Sequence, residues 1–221
     1  MTSTSSAPPA DGRLPGTSAG SRPGTPAVPS PLHGSPGIVG IPITIVGALG
    51  LGIVDAGLVP AAAASAGLPI ILTATATGLL LATIWAAALG QNASASLFAV
   101  FFGFYGSYAA LALGLVHGWY GIPASQAAHT EAVWLVCWLV TIGMLTVLTL
   151  RLPWSFPLLL GLVDIALALL LAGTLAQSTL LTHAGGYVVF GFVAVAIYLY
   201  ADLMWSETGG SRLPLGRALI T

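Results

Sequence analysis

Charge is what this sequence lacks most. Its 221 residues include only five basic and six acidic side chains, and all five basic ones are arginines because the chain contains no lysine. Charged residues make up 5% of the chain, where an ordinary soluble domain carries about 25%. So few charges cannot cover a water-facing surface, which excludes a soluble globule. A formal net charge of −1 excludes an electrostatic grip on nucleic acid. The single cysteine, Cys137, has no intrachain partner, so a disulfide framework is excluded too. Catalytic patterns are also missing. The chain shows no Ser-His-Asp order, no paired carboxylates, no His-rich metal helix and no glycine phosphate loop. An enzyme is therefore not expected, nor is any metal or other cofactor. His117, His129 and Glu131 lie close together in sequence, but their spacing fits no standard zinc pattern.

Apolar residues are what the chain has instead. They make up 57% of it, and the mean hydropathy is +0.97. From residue 38 onward they gather into six stretches, at about 38–59, 68–89, 97–116, 132–150, 156–176 and 185–205. Each is close to the roughly 20 residues that carry a helix across about 30 Å of hydrocarbon. None alternates polar with apolar residues as a strand would, and backbone groups in lipid must be satisfied within their own segment. The expectation is an all-α integral membrane protein, a bundle of six transmembrane helices occupying residues 37–207. Residues 208–221 then form a C-terminal tail, and the segment from His117 to Glu131 a polar loop outside the membrane.

Residues 1–36 differ in composition. Pro, Ser, Gly and Thr dominate, and Pro8, Pro9, Pro15, Pro23, Pro26, Pro29 and Pro31 interrupt any helix. Such a segment buries too little apolar surface to offset its ordering entropy, so a disordered tail is expected. Its start does not read as a signal peptide, because no basic opening leads into a short apolar run.

The arginines set an orientation. With six spans, Arg13, Arg22, Arg151, Arg212 and Arg217 all fall on one side, and the opposite connections carry none. The positive-inside rule then places both termini in the cytoplasm of a multi-pass protein of the cell membrane.

Four local patterns carry a resemblance. Ser35-Pro36-Gly37-Ile38-Val39-Gly40-Ile41 is similar to the signature N-P-x-P-L-G-L, and Phe104-Tyr105-Gly106-Ser107-Tyr108 to S-Y-G-S-[FW]. His183-Ala184-Gly185-Gly186-Tyr187 resembles H-x-A-G-W, with Ala196-Ile197-Tyr198-Leu199 matching A-I-Y-L beyond it. Leu213-Pro214-Leu215-Gly216 looks like the tail V-L-P-[IL]-G. In this order, over about residues 35–216, they resemble the acetate uptake transporter (acetate/succinate permease) family. The chain departs from the pattern at Ser35, where the family has Asn, and at Ile38, where it has its second Pro. Thr83 and Gly90 replace its Gln and Glu in the second span.

The resemblance implies a six-helix protomer with its own pore, assembled as a homo-hexamer in membrane lipid. It also implies passage of acetate, succinate or similar small carboxylates, by proton coupling or by passive conduction. It puts Tyr105 at a pore narrowing, with bulky residues that align here to Thr44 and Val163. Ser107 belongs to the same motif, and His183 falls at an external entrance. A channel for a neutral solute such as ammonia or urea, and a purely structural membrane protein, are the alternatives.

An anion in an apolar passage must have its hydration replaced, and no Lys or Arg lies inside the spans. Backbone N–H groups, hydroxyls and water remain. Ser35, Pro36, Gly37 and Gly40 form a helix start, where free amides and the positive dipole end suit an anion; an ordinary helix start is the other reading. Gly103 and Ser107 have the spacing of close helix packing. Asp164 is an intramembrane carboxyl and a functional candidate by default, either a proton relay or a hydrogen-bond partner for a neighbouring helix. Asp55 and Asp202, close to span ends, read as structural.

Overall fold

The computed structural model describes residues 34–220. The expected tail of residues 1–36 lies outside the described residues except for its last three positions. Among the described residues the chain is helical with no β-strand, and six helices are long and apolar enough to cross a membrane. They are α1 (Gly37–Asp55), α2 (Ala62–Ala88), α3 (Asn92–His117), α4 (Ala127–Leu148, inside the longer apolar helix Ala124–Arg151), α5 (Ser155–Ala176) and α6 (Thr179–Glu207).

Local chemistry sets the ends, and it moves them from where hydropathy alone would place them. The first apolar stretch continues to residue 59, yet α1 stops at Asp55 because Gly57 takes a left-handed φ of 71° and Pro60 follows. α3 ends where Gly118 turns left-handed at φ 67°. Between α5 and α6 the turn runs through Gln177 at φ 51°, and Ser178 accepts from the Leu181 N–H to cap α6. α4 and α6 begin earlier than their apolar cores. His129 and Glu131, expected in an external loop, therefore lie in the first turns of α4, and His183 lies within α6.

α2 is the irregular rod. It opens with a 3-10 stretch (Ala61–Ala66), passes through a short α turn, widens to a π segment (Ile70–Thr75) and ends as regular α-helix (Ala76–Ala88). A π segment inserts an extra residue into the helical ladder, and such insertions recur at functional positions. Here it faces α1, α3 and the lower part of α2 itself.

Each helix packs on its neighbours in sequence, and α6 returns to α1, so the six close into a ring whose thinnest seam lies between α3 and α4. Small residues allow the closure. A Cβ on Gly186 of α6 would collide with the Ala56 nitrogen at the end of α1, so this glycine lets two backbones touch. Ile71, Leu79, Phe101, Phe104, Tyr105, Ile142, Leu160 and Phe192 are among the buried side chains at the centre of the ring. The outer faces expose Leu, Val and Ile freely, as lipid contact requires.

Candidate functional site

Among the described residues, two cavities lie in file inside the ring. The larger, about 230 Å³, begins at the end of the bundle that holds Ser35, Gly37, Asp202 and Arg212, and reaches inward to Thr44, Phe101 and Phe192. The smaller, about 40 Å³, is lined by Tyr105, Val163, Leu167 and Asp55 towards the other end, and it too is bounded by Phe101 and Phe192. A water molecule needs about 10–15 Å³ of such space. The larger cavity therefore has room for a small solute with water around it, and the smaller for only a few waters. The rings of Phe101 and Phe192 stand 6.2 Å apart between their centres, tilted by 32°, as the wall between the two.

Tyr105 is 2% exposed, and its hydroxyl donates to the Thr44 carbonyl oxygen at 3.3 Å across the α1–α3 interface. Its ring lies 6.4 Å from that of Phe101 and 5.1 Å from that of Phe104. Thr44 lines the larger cavity, while its own hydroxyl donates to the Gly40 carbonyl at 2.7 Å. Val163 of α5 lines the smaller cavity with Tyr105, and the hydrogen bond from Tyr105 links that cavity to Thr44 of the larger.

The other expected residues divide. Ser35 and Gly37 line the mouth of the larger cavity, Pro36 is buried at the N-cap of α1, and Gly40 makes room for the Phe98 ring, which lines the same cavity. The helix start offers an anion fewer amides than its sequence suggested. Ile38 N–H donates to the Ser35 carbonyl, and the amides of Val39 and Gly40 both donate to that of Pro36, which leaves only the Gly37 amide from the first turn. Ser107 turns away from both cavities. Its hydroxyl accepts from Trp134 Nε1 at 2.8 Å and Trp138 Nε1 at 3.1 Å, which ties α3 to α4 at the thin seam. Asp164 likewise points between α5 and α4, where the Thr146 hydroxyl donates to its Oδ2 at 2.6 Å, and it lines neither cavity. His183 is exposed beside Gly57 and lines neither cavity. Among the described residues no three His, Cys, Asp or Glu side chains form a metal-ligating group.

Sequence reasoning missed three participants, Phe101, Phe192 and Arg212, and read two more, Asp55 and Asp202, as structural. Phe101 and Phe192 form the wall, Asp55 lines the smaller cavity, and Arg212 with Asp202 lines the mouth of the larger. Phe101 had a signal, since it stands one helical turn before Tyr105 on the same face of α3. Arg212 had none, because its approach depends on how the chain folds back after α6.

A ring of six lipid-spanning helices around internal cavities defines a multi-pass membrane protein. The chain belongs to the GPR1/FUN34/yaaH family, whose model matches residues 19–211. Among solved structures it is similar to that of the bacterial acetate channel SatP, with a TM-score of 0.74 at 19% identity, covering 83% of this chain and 99% of that one. No curated protein matches it.

Proposed function

We propose that the protein conducts small carboxylates, acetate first and succinate as a longer relative, across the cell membrane through a passage inside each protomer. It works as a conduit and not as an enzyme. The observation that carries this reading is the pair of cavities in file, both lined by Phe101 and Phe192. The acetate-channel title of the similar structure supports the choice of substrate. A solute enters the larger cavity with its water and reaches Thr44. It crosses between Phe101 and Phe192 when the two side chains turn aside, then passes Tyr105 and leaves past Asp55. An apolar constriction of this kind gates by dewetting, and the Tyr105 hydroxyl is the polar group beside it.

For a transport cycle coupled to protons, Asp55 is better placed than Asp164, since it lines the smaller cavity whereas Asp164 is turned towards Thr146. The assembly implied by the family resemblance, a homo-hexamer, is a question for the mass of the purified particle.

Uptake into proteoliposomes tests the reading. Labelled acetate should enter faster than into empty vesicles, and excess unlabelled acetate should suppress it while urea does not. Urea or ammonia flux without acetate flux would instead establish a neutral-solute channel. No flux of either kind would leave a structural protein.

A further inference from the structure

Among the described residues one cation lines the passage, and the C-terminal segment supplies it. Three arginines fall among the described residues, Arg151, Arg212 and Arg217, and only Arg212 lines a cavity. It reaches the mouth of the larger cavity because the chain folds back after α6, with Gly209 at φ 88° and Gly216 at φ 90°. Contacts that do not involve Arg212's side chain hold the returning segment. The Tyr198 hydroxyl donates to the Pro214 carbonyl at 2.8 Å, Trp154 N–H to the Arg217 carbonyl at 3.0 Å, and Leu219 N–H to the Leu150 carbonyl at 3.1 Å.

The Arg212 side chain pairs with Asp202. Nη1 donates to Oδ2 at 3.1 Å, while the Leu213 N–H donates to Oδ1 at 2.7 Å. Both carboxylate oxygens are thus engaged, and the Asp202 side chain is 3% exposed against 67% for Arg212. The pair is consequently a dipole with its negative end buried and its positive end turned to water. A guanidinium has five N–H donors, and the contact with Asp202 uses Nη1 alone. Among the described residues no charged side chain besides Arg212 and Asp202 lines this cavity.

We propose that Arg212, held in place by Asp202, is the carboxylate-selecting residue at the mouth of the larger cavity, binding the anion through the donors that Asp202 leaves free. The inference rests on the carboxylate-conduit reading and assigns its entry site. Ser35 and Ser94 line the same cavity and add hydroxyls within it. An exposed guanidinium binds a carboxylate weakly and less so in salt. A conduit requires that weakness, because its passenger must be released inward.

The test uses the full chain in proteoliposomes captured through a C-terminal tag, so that the Arg212 end faces the medium. Arg212→Gln should raise the KM for labelled acetate about three- to tenfold with little change in the maximal rate, the loss expected for one exposed charge-assisted contact. Arg212→Lys should recover much of the affinity. Added sodium chloride should raise the wild-type KM and leave that of Arg212→Gln nearly unchanged. An unaltered KM in Arg212→Gln would overturn the proposal. So would a fall in maximal rate accompanied by a lowered unfolding temperature, which would mark Arg212 as a structural strut. Wild-type vesicles that take up no acetate would instead remove the conduit reading itself.

Discussion

Tyr105 combines two contributions that mutation can separate. Its ring is packed between Phe101 and Phe104, and its hydroxyl bridges to the Thr44 backbone at 3.3 Å. A neutral hydrogen bond of that length contributes about 1 kcal/mol, whereas removing a buried aromatic ring costs about 3–5 kcal/mol in a well-packed core. Tyr105→Phe should therefore leave acetate uptake close to wild type. Tyr105→Ala should change it severalfold, mostly upwards, as the two cavities merge into a wider path. Initial rates in proteoliposomes, normalised to inserted protein, check both. Equal rates in all three proteins would remove Tyr105 from the passage. Sequence offered the tyrosine through its motif, and Thr44 and Val163 through the family resemblance alone. Phe192 was not offered, because an aromatic in an apolar helix looks the same whether it faces lipid or a cavity, and Phe101 had only its place one turn before Tyr105 as a signal. Asp164 carried two readings in the sequence for a related reason. A carboxyl in a span demands a partner, but sequence does not say whether that partner is a passing solute or, as here, the Thr146 hydroxyl.

Among the elements, α1 and α2 meet across glycines and a π segment, and this contact shapes the site. A Cβ on Gly47 of α1 would stand 2.6 Å from Thr75 Cγ2 and 2.9 Å from Tyr105 Cε1. Thr75 closes the π segment, is fully buried, and its hydroxyl has no partner among the described residues. Gly47 therefore sets how closely α1 approaches both the π segment and Tyr105. Gly106 of α3 is the natural control, since its nearest neighbour to an added Cβ is 4.0 Å away. Gly47→Ala should cost about 1–3 kcal/mol through overpacking and shift acetate uptake as Tyr105 is displaced. Gly106→Ala should be neutral or slightly stabilising, given a helix-propensity gain of about 1 kcal/mol. Thermal unfolding in detergent, read beside uptake, separates them, and equal behaviour of the two variants would sink the argument. The number and rough position of the helices were readable because lipid enforces length and apolarity. The ends were not, because they depend on Gly57, Gly118 and Gln177 adopting left-handed conformations that hydropathy does not register.

At the scale of the whole molecule, the described arginines lie at one end. The Leu150 carbonyl, beside Arg151, accepts from Leu219 N–H, and Trp154 N–H donates to the Arg217 carbonyl, so the α4–α5 connection and the C-terminal segment touch. Ser35, at the start of α1, lines the same cavity as Arg212. An even number of spans requires this arrangement of the two ends, and here the contacts supply it independently. The opposite end, with the α3–α4 connection through Trp119 and Gly121, carries no arginine. If the positive-inside rule governs insertion, the arginine end is cytoplasmic. Two single cysteines test it in a Cys137→Ala background, which is needed because the native thiol is exposed on α4. Ser211→Cys should react with a membrane-impermeant maleimide in inside-out vesicles and stay protected in intact cells. Gly121→Cys, beyond α3, should show the opposite pattern. Reversal of both would place the arginines outside and make the larger cavity, with Ser35 and Arg212 at its mouth, the external entrance. Reaction of both sites from one side would break the even count of spans on which the ring depends.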